Sequence, residues 1–181
     1  GDNTRRTQGY AVYQNHKKDG ADISIIYTHV NNADTDFERC YLLNLGKTGR
    51  VVSVGLNMGH RKTANVSMEM YLMKKELLLE IIMDSISKGE HFYLNDAINQ
   101  CISSLKVTAY KHEGYVKCVN SVEKYFEANM DFLNTEISEE LFYSERKIFT
   151  KVKDESPTFY SKDAKVENSL IANGCIIEGE V

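Results

Sequence analysis

The chain reads as an α/β fold, a mixed sheet flanked by helices, followed by the first turns of a left-handed β-helix. Three observations predict it. Short β-branched and apolar runs alternate with longer segments of helical periodicity through most of the chain. At residues 114–133 an apolar run meets a polar break and then an amphipathic helix, a junction where α/β folds collect backbone donors and side chains. From Phe159 onward the spacing of apolar and small residues changes to six.

Composition narrows the function classes. With 181 residues and 42% hydrophobic side chains, the chain is long enough to bury a real core. A net charge of −4 and a pI near 5.8 set up no field for general nucleic-acid or anionic-membrane binding. No apolar run reaches the ~18 residues of a membrane span, and residues 1–10 are no signal peptide, so a cytoplasmic location is expected. Cys40, Cys101, Cys118 and Cys175 form no C-x-x-C pair; Cys101 and Cys175 sit at apolar-pattern positions and read as buried thiols. The five histidines show no H-x-x-x-H or H-E-x-x-H spacing, which gives no transition-metal site.

In chain order, residues 10–18 read as a short helix closed at Asp19 and Gly20, with Gly20 in the left-handed conformation. Residues 21–27 follow as a β-branched strand. Residues 41–45 and 50–54 are two strands around Gly46-Lys47-Thr48-Gly49, a hairpin signal. That turn imitates the end of a phosphate-binding loop, but no glycine stands at Cys40 or Tyr41, so it reads as a turn only. Residues 56–64 are loop, and 65–73 a strand. Residues 74–88 read as a helix with Leu78, Ile82 and Ile86 aligned, Leu79 and Ile81 widening the stripe, and Gly89 ending it. Residues 95–105 form another, capped by Asn95, with Ile98, Cys101, Ile102 and Leu105 in register. Residues 107–111 are a strand, and 115–119 a further short one. Asn120 then caps a helix with Glu123 in capping-box position, and Val122, Phe126, Met130 and Leu133 share its apolar face beside Tyr125. An acidic connector covers 134–145, and 148–152 looks extended. In the tail, Phe159, Lys165, Ile171 and Ile177 stand one hexad apart, as do Asp163, Ser169, Cys175 and Val181.

Gly114, Tyr115, Lys117, Val119, Val122, Glu123, Glu127, Ala128, Asn129 and Met130 match the pattern G-Y-W-K-D-V-G-T-V-E-x-x-W-E-A-N-M. On this stretch the chain resembles the bacterial glucose-1-phosphate adenylyltransferases, which make ADP-glucose for glycogen synthesis. The resemblance extends to His16 with the Ala21–Asp22 step after it, to Ser67, Met68 and Tyr71 of an A-S-M-G-I-Y strand, to His91 and Asp96 of H-D-F-G-K-D, and to the hexad tail. It implies a Rossmann-like nucleotidyltransferase fold. A partial nucleotidyltransferase domain would cover 1–140, with a linker and the start of a hexapeptide-repeat β-helix over 141–181.

The departures fall where the family's chemistry lies. Cys118 replaces the metal-binding aspartate, Asn95 a phosphate-contacting lysine, Leu94 a glycine, and Glu69 the strand's glycine; the loop at 56–64 lacks Glu-Lys-Pro. Phosphoryl transfer depends on metal and positive charge at the pyrophosphate, the groups that are replaced. The resemblance therefore implies a non-catalytic or regulatory subunit, inactive alone, partnered by a catalytic subunit or by copies of itself. An active sugar-phosphate nucleotidyltransferase retaining Lys117 is the alternative. A hexapeptide acyltransferase is set aside, because the tail carries no histidine. Cys118 and Asn95 are thus degenerate catalytic positions, and Ser67, Glu69 and Lys117 are the candidate contacts to a sugar phosphate or nucleotide. Asp2 is a remote candidate metal ligand. Mg2+ belongs to the intact active family, and this chain is expected to bind no cofactor, since a thiol suits magnesium poorly.

Overall fold

A computed structural model describes residues 8–89, 93–144, 148 and 154–181. Asp2, His91 and most of the 148–152 segment lie outside the described residues. The chain forms two compact units, Gly1–Val116 and Lys117–Val181.

The first unit is a five-stranded mixed sheet with helices on both faces. Its strands are β1 (Ile23–Val30), β2 (Tyr41–Leu45), β3 (Val51–Leu56), β4 (Ala64–Met73) and β5 (Val107–Lys111), in the order β3-β2-β4-β1-β5. β1 runs parallel to β5 and antiparallel to β4, while β2 is antiparallel to both β3 and β4. Side chains alternate between the faces. Ile23 and Ile25 of β1 enter a core with Leu43, Val51, Val54 and Val107. The same core takes Ile81 from α2 (Lys75–Ser87) and Ala97 and Ile98 from α3 (Leu94–Cys101). Ser24, between the two isoleucines, faces the other way and bonds His16 of α1 (Gln8–Asp19), Nδ1 to Oγ 2.9 Å, so α1 covers the opposite face. Gly20 ends α1 at φ +56°, where a β-carbon would be strained. The β2–β3 turn closes through Gly49 at φ +75°, with Gly46 donating to the Arg50 carbonyl and Gly49 to that of Gly46.

Several sequence expectations change here. In α2 the inward face is Leu77, Leu78 and Ile81, while Leu79, Ile82 and Ile86 are exposed. The helix is apolar on several sides, so its composition supports more than one stripe, and the sheet selects the one through Ile81. Asn95 is not a cap: Tyr93 occupies that position in extended conformation, and Asn95 lies inside the first turn, buried. Ile98 and Ile102 are buried as the periodicity required, with Cys101 and Leu105 at the core's edge. Cys101 and Cys175 are part-exposed rather than buried.

The expected strand at 115–119 does not form. β5 ends at Lys111, and the amide of His112 makes the last bond, to the Tyr27 carbonyl (2.7 Å). Gly114 then adopts φ +146°, a region open to glycine, and residues 115–120 form no strand.

In the second unit the helix α4 spans Val122–Asp131. Its cap is Ser121, whose Oγ accepts from the Lys124 amide (3.1 Å), so the cap lies one residue beyond Asn120 and the third helical position holds Lys124 in place of Glu123. The predicted apolar stripe is also largely uncovered: Val122, Tyr125, Phe126 and Met130 are exposed, Leu133 is half-buried, and Ala128 is the buried residue. The acidic connector is largely helical, as α5 (Thr135–Ser138) followed by a π-helical turn, Glu139–Tyr143. Phe132 meets Phe142 edge to face there, ring centres 5.5 Å apart. In the tail, β6 (Phe159–Tyr160) pairs in parallel with β7 (Ile176–Ile177), and Lys165 bridges Glu180 in the same sense. Ile171, Cys175 and Ile177 are half-buried while Leu170 and Ile176 are exposed.

Candidate functional site

In the first unit, the candidate positions on β4 and α3 come together around one bulge. Opposite β1, pairing jumps from Met70↔Ile26 to Ser67↔Tyr27, which leaves Met68 and Glu69 as the extra residues of β4. Glu69 takes φ +54°, a left-handed conformation, and its amide donates to Ser67 Oγ at 3.2 Å. This is the position where the resembled strand has glycine, and the backbone keeps a shape that glycine fits without strain. Ser67 is buried with its hydroxyl used in this way.

Two residues beyond the bulge, the Tyr71 hydroxyl donates to Asn95 Oδ1 at 2.5 Å. Burial, reinforced by the negative charge of Glu69, pushes the Tyr71 phenol up to about 12, against the opposing hydrogen bonds to Ser67 and Asn95. Tyr41 on β2 is also raised, first by burial and then by the carboxylates of Asp96 and Glu69. The cluster thus presents two phenols held protonated at neutral pH, one buried amide and two carboxylates. Among the described residues it offers hydrogen bonds but no cation to a phosphate, which binds best to charged donors.

In the second unit, Lys117 and Cys118 precede α4. Lys117 Nζ lies 3.0 Å from Glu127 Oε2 and 3.2 Å from Asp131 Oδ2, two acids one helical turn apart. Lys124 shares Glu127 at 2.9 Å. The Lys117 ammonium is held above its usual range, chiefly by the hydrogen bond to Glu127. Glu127 is held below the usual carboxylate range by Lys124 first and Lys117 second. Cys118 beside it is part-buried. Among the described residues, no three His, Cys, Asp or Glu side chains converge as metal ligands.

Sequence reading missed Tyr41 altogether, and it treated Tyr71 only as a pattern match. It also left Lys117 without partners. A signal existed for the last, since Glu127 and Asp131 stand at i and i+4 on a helix that starts a few residues beyond the lysine.

Pockets among the described residues lie elsewhere. One of about 280 Å³ opens beside β2 and β4, with His29, Asn44, Arg61 and Asn65 in its lining. Another, about 350 Å³, sits where the β2–β3 turn meets the start of β5. In the second unit, Thr135, Glu136, Glu139 and Tyr143 help line one of about 690 Å³.

No family model matches the chain. Individual proteins do. The glycogen biosynthesis protein GlgD of Bacillus subtilis (strain 168) is 38% identical over 115 residues, 64% of this chain and 33% of that protein. GlgD of Geobacillus stearothermophilus is 43% identical, with the same 64% and 33% coverage. The glucose-1-phosphate adenylyltransferase of Clostridium perfringens (strain 13 / Type A) is 30% identical over 185 residues, 100% of this chain and 46% of that protein. The chain is thus a relative of the glucose-1-phosphate adenylyltransferase family. The two GlgD proteins match it at higher identity over a shorter stretch. It spans between a third and a half of the length of these relatives.

Proposed function

We propose that this chain is part of a glycogen-biosynthesis protein that supports ADP-glucose synthesis as a non-catalytic or regulatory subunit. The observation that carries the reading is Asn95. Where the resembled motif puts a phosphate-contacting lysine, this chain buries an amide and ties its Oδ1 to the Tyr71 hydroxyl. An amide cannot supply the charge that a sugar phosphate or pyrophosphate requires. Lys117, the cation retained from the motif, is paired with two carboxylates, which reduces what it offers to a ligand.

The finer architecture goes with this reading: a Rossmann-like nucleotidyltransferase domain over 1–140, partial in this chain, then a linker and the opening of a left-handed β-helix over 141–181. The parallel stacking of β6 on β7 and of Lys165 on Glu180 supports the β-helix. The protein works in the cytoplasm, and its partner is a catalytic glucose-1-phosphate adenylyltransferase subunit or further copies of itself. Ser67, Glu69 and Lys117 are the contacts proposed for any sugar phosphate or nucleotide that still binds, and magnesium is left to the catalytic partner.

The test is pyrophosphate release from ATP and glucose 1-phosphate, by this chain alone and by a catalytic subunit with and without it. The chain alone should be silent, and its addition should change the partner's rate or effector response. Magnesium-dependent release by the pure chain, abolished by Lys117→Ala, would instead establish the active-enzyme alternative. Cys118→Asp should fold without switching on activity, because the positive charge missing at Asn95 remains missing.

A further inference from the structure

The geometry points to a binding site for a small phosphate-type anion at the edge of the first unit, in the pocket of about 350 Å³ lined by Asp19, Thr48, Gly49, Arg50, Lys106 and Thr108. It stands on this unit alone and does not depend on the functional reading above. The turn that imitates a phosphate-binding loop in sequence forms one wall, though by different chemistry.

Two cations carry the site. Arg50 Nη2 donates to the carbonyls of Ile102 (3.3 Å) and Leu105 (3.1 Å), just past the end of α3. Lys106 Nζ donates to the carbonyl of Asp19, the last residue of α1. Both are held by main-chain oxygens at helix C-terminal ends, where cations are favoured. Among the described residues neither forms an ion pair with a carboxylate. The guanidinium has five N–H donors and the ammonium three, so the Nε and Nη1 hydrogens of Arg50 and two of Lys106 remain for a ligand. The carbonyls fix the positions of the charges without neutralising them. That preorganises the pair before any anion arrives.

The walls are tied together as well. Arg50 bridges Thr108, the amide of Ala109 donates to the Gly49 carbonyl at 3.3 Å, and the Thr108 hydroxyl is within 3.0 Å of Ser24 Oγ. The opposing charge in the lining is Asp19, whose Oδ2 accepts from Asn15 at 3.1 Å. Arg50 and Lys106 against Asp19 leave one net positive charge in the lining. The volume is roughly ten times the ~30 Å³ share of a water molecule, so a phosphate monoester has room as well as inorganic phosphate.

The experiment is an amide NMR titration of the full chain at constant ionic strength, with inorganic phosphate, phenyl phosphate and acetate as separate probes. Inorganic phosphate should give saturable shifts at residues 48–50 and 106–109, and acetate should not. Tighter binding of phenyl phosphate than of inorganic phosphate would place the ester in the pocket; equal binding would limit the site to the phosphoryl group. Lys106→Gln should weaken binding about tenfold, the scale of one charge-assisted hydrogen bond. Asp19→Asn should tighten it severalfold by removing the opposing charge. Arg50→Gln should act like Lys106→Gln. If that variant loses its fold because α3 loses its carbonyl partner, Lys106→Gln and Asp19→Asn decide the matter alone. Shifts that fail to saturate, that acetate reproduces, or that survive Lys106→Gln unchanged overturn the site.

Discussion

Helices α3 and α4 carry the same kind of apolar repeat and meet different fates. In α3, Ile98 is fully buried and Ile102, just past its end, is 8% exposed, both packed on the sheet. In α4, Phe126 and Met130 stand at i and i+4 with 63% and 48% of their surface exposed. Periodicity specifies which side chains share a face; whether anything covers that face depends on the elements around it. The first unit supplies a five-stranded sheet to α3. Within the second unit, α4 buries Ala128 and is held from its polar side, by Lys117 bridging Glu127 and Asp131.

The widest separation between the two helices should appear on truncation. Ile98→Ala removes three carbons from a fully buried position and should destabilise the first unit by about 3 kcal/mol in urea denaturation. Phe126→Ala, despite its larger side chain, should change stability by no more than about 0.5 kcal/mol, as exposed substitutions do. Comparable losses from both variants would show that α4 is covered in solution, and the contrast between the helices would collapse.

The next effect sharpens what burial means in the first unit, because it concerns a polar pair. Tyr71→Phe leaves the buried Asn95 carbonyl without its donor and should cost about 1–3 kcal/mol. It should also alter the pH profile. The folded phenol titrates near 12 and the unfolded one near 10.0, so the unfolded state releases its proton first. Stability from this group is complete below pH 10.0 and falls as pH rises from there towards 12. The variant should lose that alkaline slope. A profile identical to the parent's would mean that Tyr71 is not the group buried in protonated form.

How much of this was legible in the sequence follows the same division. β5 was read to the residue, and the β2–β3 hairpin nearly so, because alternation and glycine placement are local signals. The α3 stripe was legible because only one face of that helix is apolar. In α2, Leu77 through Ile82 is nearly continuous hydrophobic sequence, and only the sheet's position decides that Ile81 points inward. The cap of α4 slipped by one residue because Asn120 and Ser121 are both good capping types, and the choice depends on where the chain arrives. At the candidate site, the identities of Ser67, Glu69 and Asn95 were readable, but their meeting around a bulge was not. A bulge arises from pairing between strands distant in sequence, β1 and β4 here.

Glu69 gives a smaller effect of opposite sign. A left-handed conformation costs a residue with a β-carbon about 1–2 kcal/mol, part of which glycine returns through its greater unfolded entropy. Glu69→Gly should therefore stabilise the first unit by about 0.5–1 kcal/mol. It should also lower the Tyr71 titration, since the Glu69 carboxylate is one of the influences raising it. Stabilisation without a change in that titration would separate backbone strain from charge. Destabilisation would mean that the Glu69 side chain makes contacts worth more than the strain.

The smallest effect is expected at α4, where half-buried charges stand in place of a buried core. Lys117 is 18% exposed in its side chain and Glu127 36%, so water and salt screen the pair and its contribution to stability is modest. Its pH dependence is nevertheless definite in sign. Glu127 is held below its ordinary 4.5, so its contribution is present above pH 4.5 and disappears as pH falls through the lower folded value. Lys117 is held above its ordinary 10.5, so its contribution is complete below pH 10.5 and is lost as pH rises through the higher folded value. Amide exchange in α4 should accordingly be slowest, after correction for intrinsic rates, between those limits, and added salt should speed it. Glu127→Gln should flatten the acidic limb, because it removes the titrating negative charge that Lys117 and Lys124 share, while leaving exchange in α3 unchanged. If salt and Glu127→Gln leave α4 untouched, the helix is not held by its charges, and an unseen cover over Phe126 and Met130 becomes the simpler account of its stability.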